Sequence, residues 1–248
     1  MVMIGNKAES VGSVPCGNTV AITGLDQYLV KTQLIEFKYH SGFSISQKQK
    51  CILELHNSIK DTFKNAKILE ISSKSEIFLG VQLSAFNLMI RDQKRNKSYS
   101  VECAFQAGKI FEKAGPFLDI LDKSSLEAKR DERLKNSGNL IGFSFFGTSW
   151  PLTPLTAFYD WLYINAIRVR TEFHEELLEY DFFTDIEFNP EKSINCQACS
   201  IAMFVSLHKR NLLDSIKDPK TFLQLYSEYK IENTSSQNKN INLQATLL

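Results

Sequence analysis

The run Ser100–Lys113 constrains this chain most. Read as a helix, it is apolar or small nearly everywhere except along one narrow stripe. Gln106, Lys109 and Lys113 stand four, seven and eleven residues after Glu102, so at 3.6 residues per turn all four share one face. A helix of this kind has to pack inside a folded domain, with its stripe either lining a cleft or meeting solvent. The carboxylate and the Lys109 amine stand two turns apart, ~10 Å along the axis. That makes the stripe a candidate reaction site, and periodicity alone leaves both readings open.

The 248 residues are 43% apolar and 23% charged, the balance of an ordinary globular protein. A chain this long buries a core without staples. Its formal net charge of +1 supplies no global pull toward nucleic acid or anionic membrane, so any such contact must come from a local patch. No apolar run approaches the ~20 residues of a membrane span. Met1–Asn18 lacks the apolar core of a signal peptide. Five cysteines at irregular spacing argue against a disulfide framework and for a reducing, cytoplasmic setting.

Residues 1–29 read as a flexible leader, small and polar with Gly5, Gly12, Gly17 and Gly24. Residues 33–40 alternate as a strand does. Ile52, Leu55, Ile59 and Phe63 predict a helix over Ser46–Lys64, capped by Ser44 or Ser46. Lys67–Ser72 and Gly80–Ile90 read as strands, followed by an exposed basic turn at Arg91–Lys97. Helices are predicted over Tyr99–Lys113, from Pro116 through Leu121, and over Ser125–Lys135 with Gly138 as its stop. Pro151 and Pro154 divide the aromatic stretch 142–164 into an approach loop and a helix from Thr156. A short helix at Glu172–Leu178, an acidic-aromatic loop at Glu179–Pro190 and an apolar helix over Ser193–His208 follow. One domain is expected over 30–230, and 231–248 read as a disordered polar tail.

Cys196-Gln197-Ala198-Cys199 is a lone CxxC without two further ligands at matching spacing, so no metal site is expected. Placed inside an apolar helix, the pair reads as two buried structural cysteines. The four histidines form no metal spacing. No P-loop and no GxGxxG occurs, and no cofactor is expected. Two basic runs, Arg91-Lys94-Arg95-Lys97 and Lys129-Arg130-Arg133-Lys135, either meet phosphates or form solvated faces. Trp150 stands in a predicted loop, where a large aromatic can form a stacking wall for a planar group. Glu179, Asp181, Asp185 and Glu187 lie among apolar residues. Such surroundings raise carboxyl pKa values and suit acid–base work, although capping and ion pairing are the simpler reading.

Several of these segments together resemble the NADAR family. Leu83-Ser84-Ala85-Phe86 resembles its LSNF motif, with Ala85 in place of Asn. Val101-Glu102 and Gly108-Lys109 keep the Glu and Lys of its VEH…QK motif, with Cys103 in place of His. Ala128-Lys129-Arg130 matches a family helix, and Trp150 falls at the family's active-site Trp. Leu178-Glu179…Asp185 resembles LVE…D with one extra residue, and Glu187-Phe188 replaces the Trp-Gly that follows. Ile194-Asn195 resembles the NLLG helix start. Glu70–Ser75, Phe158–Ala166, Asp185–Pro190 and Phe43–Lys50 are similar to the branch encoded beside DarT-type toxins, extending the match to roughly 30–225.

The resemblance implies a helix-rich α+β fold, a single domain with a few short strands. It implies an N-glycosidic hydrolase that removes ADP-ribose from guanine in single-stranded DNA and acts as the antitoxin to a DNA ADP-ribosyltransferase toxin of the DarT type. Other members are associated with riboflavin-pathway intermediates, so a small metabolite is an alternative substrate. A non-catalytic module that binds ADP-ribosylated DNA is another reading. On the enzyme reading Glu102 stabilises the charge that develops at the ribose C1, and Asp185 is its partner acid or base. Lys109 attacks the anomeric carbon and holds the open sugar as a Schiff base, which requires a neutral amine. Crowding by Lys113 or Lys129 would favour that form, and Glu102 would oppose it. Trp150 stacks on a base, and Ser84 and Gln106 bind substrate. Lys129 and Arg130, with Arg91 and Arg95, meet pyrophosphate or DNA backbone.

Overall fold

The computed structural model describes residues 2–4, 7–9, 14–23, 27–42, 44–188 and 195–231, with side chains from residue 18 onward. A hairpin of β1 (Val2–Ile4) and β2 (Lys7–Glu9) precedes two long strands, β3 (Val14–Ile22) and β4 (Tyr28–Tyr39). Helix α1 (Ile45–Thr62), β5 (Ile68–Glu70), α2 (Phe78–Gln82) and the hairpin β6 (Met89–Asp92) with β7 (Lys97–Ser100) come next. They lead into α3 (Val101–Ala107) and β8 (Lys109–Phe111). A 3-10 turn at Leu118–Asp122, α4 (Ser125–Lys129) and α5 (Arg133–Asn136) precede a second hairpin, β9 (Leu140–Phe145) with β10 (Thr148–Trp150). Then follow α6 (Ala157–Arg168), a 3-10 turn at Thr171–Phe173, α7 (His174–Leu177), β11 (Phe182–Thr184) and α8 (Gln197–Lys209). A further 3-10 turn at Leu213–Ile216, α9 (Pro219–Glu228) and β12 (Lys230–Ile231) complete the described elements.

The main sheet has the order β12-β4-β3-β11-β5. Strand β3 runs antiparallel to β4 over the whole length of β3, whereas β11 runs parallel to β5. Helix α1 covers one face. Its Cys51, Ile52, Leu55 and Ile59 pack with Val20, Ile35, Phe37 and Ile68 of the sheet, each buried aliphatic chain contributing about 1.5–3 kcal/mol. Ser44 caps α1 in a reciprocal capping box with Gln47, as the spacing predicted. Helix α8 belongs to the larger core on the other side. It is buried without interruption from Ala198 to Leu207, so it has no solvent face and stands at the centre. The protein is thus a mixed α+β fold, as the resemblance implied. No helix among the described residues is long and apolar enough to cross a membrane.

Several local expectations are corrected. The leader expected over 1–29 contains β3, an inner strand of the main sheet with Val20 and Ala21 wholly or almost wholly buried. Pairing with β4 along its length supplies the order that its small, Gly-containing composition did not announce. Of the tail expected over 231–248, Ile231 ends β12 and the rest lies outside the described residues. Only Met89 and Ile90, at the end of the Gly80–Ile90 stretch, are in a strand, β6. The rest closes α2 and then turns, with the Asn87 and Leu88 N–H groups both bonded to the Ser84 carbonyl. A short apolar run looks the same in either state. Ser125–Lys135 is two short helices, because Asp131 sits at the break and accepts from the Arg133 backbone at 3.0 Å. The approach loop at 142–150 is the β9–β10 hairpin, turned by Phe146 and Gly147, both at positive φ.

Candidate active site

Ser100 caps α3, its Oγ accepting the Cys103 N–H at 3.1 Å. Glu102 lies in the first turn and gives its own N–H to the Ala85 carbonyl at 3.0 Å. One turn on, Gln106 donates Nε2 to Glu102 Oε1 at 2.9 Å. The predicted helix does not continue to Lys113. It stops at Ala107 with Gly108 as its cap, and Gly108 lies so close to Phe158 that a Cβ there would stand 2.7 Å from the ring Cζ. The Gly108 carbonyl accepts the Ser144 N–H at 2.8 Å, and the chain runs out as β8. The stripe is therefore part helix and part strand. Glu102, Gln106 and Lys109 are 6, 3 and 0% exposed, which excludes a wet face for these three. Lys113 is exposed.

Burial is the main cause that pushes the Lys109 ammonium down to about 7; Glu102 opposes the shift and Lys129 adds to it. The Lys109 Nζ stands 4.7 Å from the centroid of the Phe105 ring. Across the small sheet Lys109 pairs with Phe143, and Phe143 pairs with Trp150. These three side chains therefore share one face and one row. Trp150 itself is corrected from a loop wall to a core residue. It lies in β10, 3% exposed, tilted against Phe158 and Trp161 and edge-on to Phe222.

Asp185 follows β11 and is also buried. Its carboxylate accepts Gln197 Nε2 at 2.9 Å and the Glu187 N–H at 3.1 Å. Burial first, then the Glu70 charge, pushes it up to about 7. The other end of the Gln197 amide accepts the Ala85 N–H at 2.6 Å. Ala85 thus bonds toward Asp185 through its N–H and toward Glu102 through its carbonyl. Burial raises the phenol of Tyr159 on α6 well above the ordinary range, and Tyr163 and then the charges of Glu102 and Asp185 add to that. Tyr163, one turn on, anchors the same loop by donating its hydroxyl to the Leu83 carbonyl.

The remaining predicted residues divide in two. Ser84 Oγ, Gln106 Oε1 and Trp150 Nε1 are buried with no hydrogen-bond partner among the described residues. Buried polar atoms of this kind call for a ligand or water to satisfy them. Lys129 and Arg130 are exposed at the end of α4, with Lys129 Nζ 5.6 Å from the Phe86 ring centroid. Arg95 is held by Asp92 at 2.7 Å and by the Phe146 ring at 3.7 Å, a solvated hairpin arrangement. Cys196 caps α8, so the CxxC begins the helix rather than lying inside it. Both thiols are buried, and the hydrogen bond with Cys196 together with burial pushes the Cys199 thiol up, away from thiolate chemistry. No cluster of three or more His, Cys, Asp or Glu side chains among the described residues has the arrangement of a metal site.

Gln197, Glu70 and Tyr159 were not predicted as site residues. Glu70 carried a signal, a carboxylate inside a short apolar strand. Gln197 and Tyr159 carried none, since each meets its partners only through the fold.

A mixed α+β fold that buries a lysine of lowered pKa, a carboxylate whose charge acts on it and a second carboxylate of raised pKa has the side chains of a covalent or acid–base hydrolase. The family model described as DarT1-associated NADAR antitoxin matches residues 20–236, and the chain belongs to that family. The family is an antitoxin family, associated with DarT1, whose wider NADAR group is generally N-glycosidase-like.

Proposed function

We propose that the protein is a glycohydrolase that releases ADP-ribose from modified guanine in single-stranded DNA, and so reverses the action of a DarT1-type toxin. The observation that carries this reading is Lys109, a wholly buried lysine pushed down to about 7 beside Glu102. A desolvated amine is a nucleophile near neutral pH. In the proposed sequence the C1–N bond to guanine breaks as the leaving nitrogen takes a proton from Asp185. Glu102 stabilises the positive charge that develops on the ribose. The Lys109 amine bonds to C1, and the ring oxygen takes a proton as the sugar opens, which leaves an imine between C1 and Nζ. Water hydrolyses that imine, freeing ADP-ribose and the amine. Ser84 and Gln106 supply unpaired polar atoms to the sugar side of the site. Exposed Lys129 and Arg130 meet phosphate.

The test is a single-stranded oligonucleotide carrying ADP-ribose on guanine, incubated with the full chain and read by mass spectrometry. Free ADP-ribose and restored guanine are expected, and neither with Lys109→Met. Turnover of a free ADP-ribosyl metabolite but not of the oligonucleotide would move the reading to a small-molecule N-glycosidase. Tight binding without release would make the protein a reader of the modification.

A further inference from the structure

Glu70 ends β5 and is 2% exposed. No cation forms an ion pair with it among the described residues. Its oxygens are satisfied instead by the Ile186 N–H at 2.8 Å and the Thr184 hydroxyl at 2.5 Å. Those are the two neighbours of Asp185 in the chain, so one carboxylate pins the backbone on both sides of another. Behind it, His56 Nε2 meets Thr184 Oγ1 at 3.0 Å. A hydroxyl has one proton; with that proton on Glu70, the imidazole must donate its own to the hydroxyl. Burial, with Lys60 adding to it, holds the imidazole neutral, its pKa pushed down to about 4. The chain His56–Thr184–Glu70 is thus polarised toward an anion at Glu70.

We infer that Glu70 is the positioning residue for Asp185: it fixes the backbone on both sides of that carboxyl and takes the negative charge of the pair, leaving Asp185 with the proton. Both carboxyls are buried and the Glu70 charge acts on Asp185, and carboxyls that interact in this way share their titration. Burial pushes the Glu70 carboxyl up, and the Ile186 N–H, the Thr184 hydroxyl and the Ser72 hydroxyl oppose that rise by stabilising the anion. Asp185 faces the Glu187 N–H and Gln197, with the carboxylate of Glu187, the phenols of Tyr159 and Tyr163 and the thiol of Cys199 as its other titratable neighbours. Glu187 is in turn paired with Lys48 of α1 at 3.5 Å. No cation forms an ion pair with Asp185 among the described residues, and the ionised Glu70 raises it further, so its proton is retained when Glu70 is ionised.

The role of Asp185 as proton donor rests on the proposed function, but the pairing is measurable without it. Carbon NMR of the two side-chain carboxyls in the full chain should place the Glu70 midpoint below that of Asp185. Glu70→Gln should then move the Asp185 midpoint to lower pH. An unchanged Asp185 midpoint in that variant, or a Glu70 that titrates last, would overturn the inference. If Glu70→Gln does not fold, the unmodified protein still decides: each carboxyl should report both titration steps, and two independent single-step curves would refute the pairing. In turnover, Glu70→Gln should move the alkaline limb of the kcat profile to lower pH and leave the acidic limb, set by Lys109, in place. An enzyme inactive on ADP-ribosylated guanine would remove the proposed function and leave the NMR result standing.

Discussion

Gln197 donates one end of its amide to Asp185 at 2.9 Å, while the other end accepts the backbone N–H of Ala85 at 2.6 Å. Because the Ala85 carbonyl accepts the Glu102 N–H at 3.0 Å, the two candidate acids hang on one short chain of hydrogen bonds. Gln197→Leu should break it. It leaves the Ala85 N–H unsatisfied, at a cost of about 1–3 kcal/mol, and lets Asp185 shift. A loss of roughly a hundredfold in kcat, with KM little changed, is expected from steady-state kinetics. A variant with unaltered kcat would show that the link has no catalytic role.

Lys109→Met keeps the length of the buried chain and removes the amine. It should retain the circular dichroism of the parent and lose turnover by roughly a thousandfold or more. Borohydride added during turnover should trap a sugar on the parent and none on the variant. A parent that traps nothing would restrict Lys109 to an electrostatic role.

Because its folded pKa lies below the unfolded value of 10.5, Lys109 binds fewer protons in the folded chain than in the unfolded one between about 7 and 10.5. Stability therefore rises with pH through that window. Denaturant midpoints of the parent should climb relative to those of Lys109→Met as pH is raised from neutrality. Parallel curves for the two proteins would mean that the amine is not desolvated.

Lys129 pushes the Lys109 pKa down from an exposed position on α4. Lys129→Ala should move the rising acidic limb of the pH profile to higher pH. The same change should flatten the salt dependence of binding to single-stranded DNA, by about 0.7 in the slope of log K against log salt for one lost phosphate contact. An unmoved limb would place Lys129 too far from the amine to matter.

Asp160 is a structural control. It accepts Ser200 Oγ at 2.5 Å and Tyr226 Oη at 2.7 Å, joining α6, α8 and α9. Tyr226→Phe should cost about 1–2 kcal/mol, visible as a lower Tm, with kcat intact. A loss of activity without a loss of stability would mean that this triad reaches the reaction.

Much of the scaffold was legible because it is written locally. The apolar spacing of α1 and its Ser44 cap need only their own neighbours. So do the alternation of β4 and the turn composition between β6 and β7. The residue types of the site were legible too, since Glu102, Gln106 and Lys109 are polar in an apolar run. Their arrangement was not. The run 99–113 has helical periodicity throughout, yet the helix ends at Ala107 and Lys109–Phe111 pairs with β9, about thirty residues further along the chain. Trp150 looked accessible because two prolines follow it, yet packing against Phe222 closes it in. Gln197 stands 112 residues from Ala85 and 12 from Asp185, a bridge that no local pattern encodes.

The stop at Gly108 also changes what sets the separation of acid from amine. On one unbroken helix, Glu102 and Lys109 would be held at a spacing dictated by backbone pitch, and no side chain could alter it. Carried on two elements joined at Gly108, that spacing depends on how closely the junction seats on the Phe158 ring. A residue with no chemistry of its own thereby becomes an adjustment of the reaction geometry, and core substitutions at 158 can tune rate or substrate range while both reacting groups stay the same.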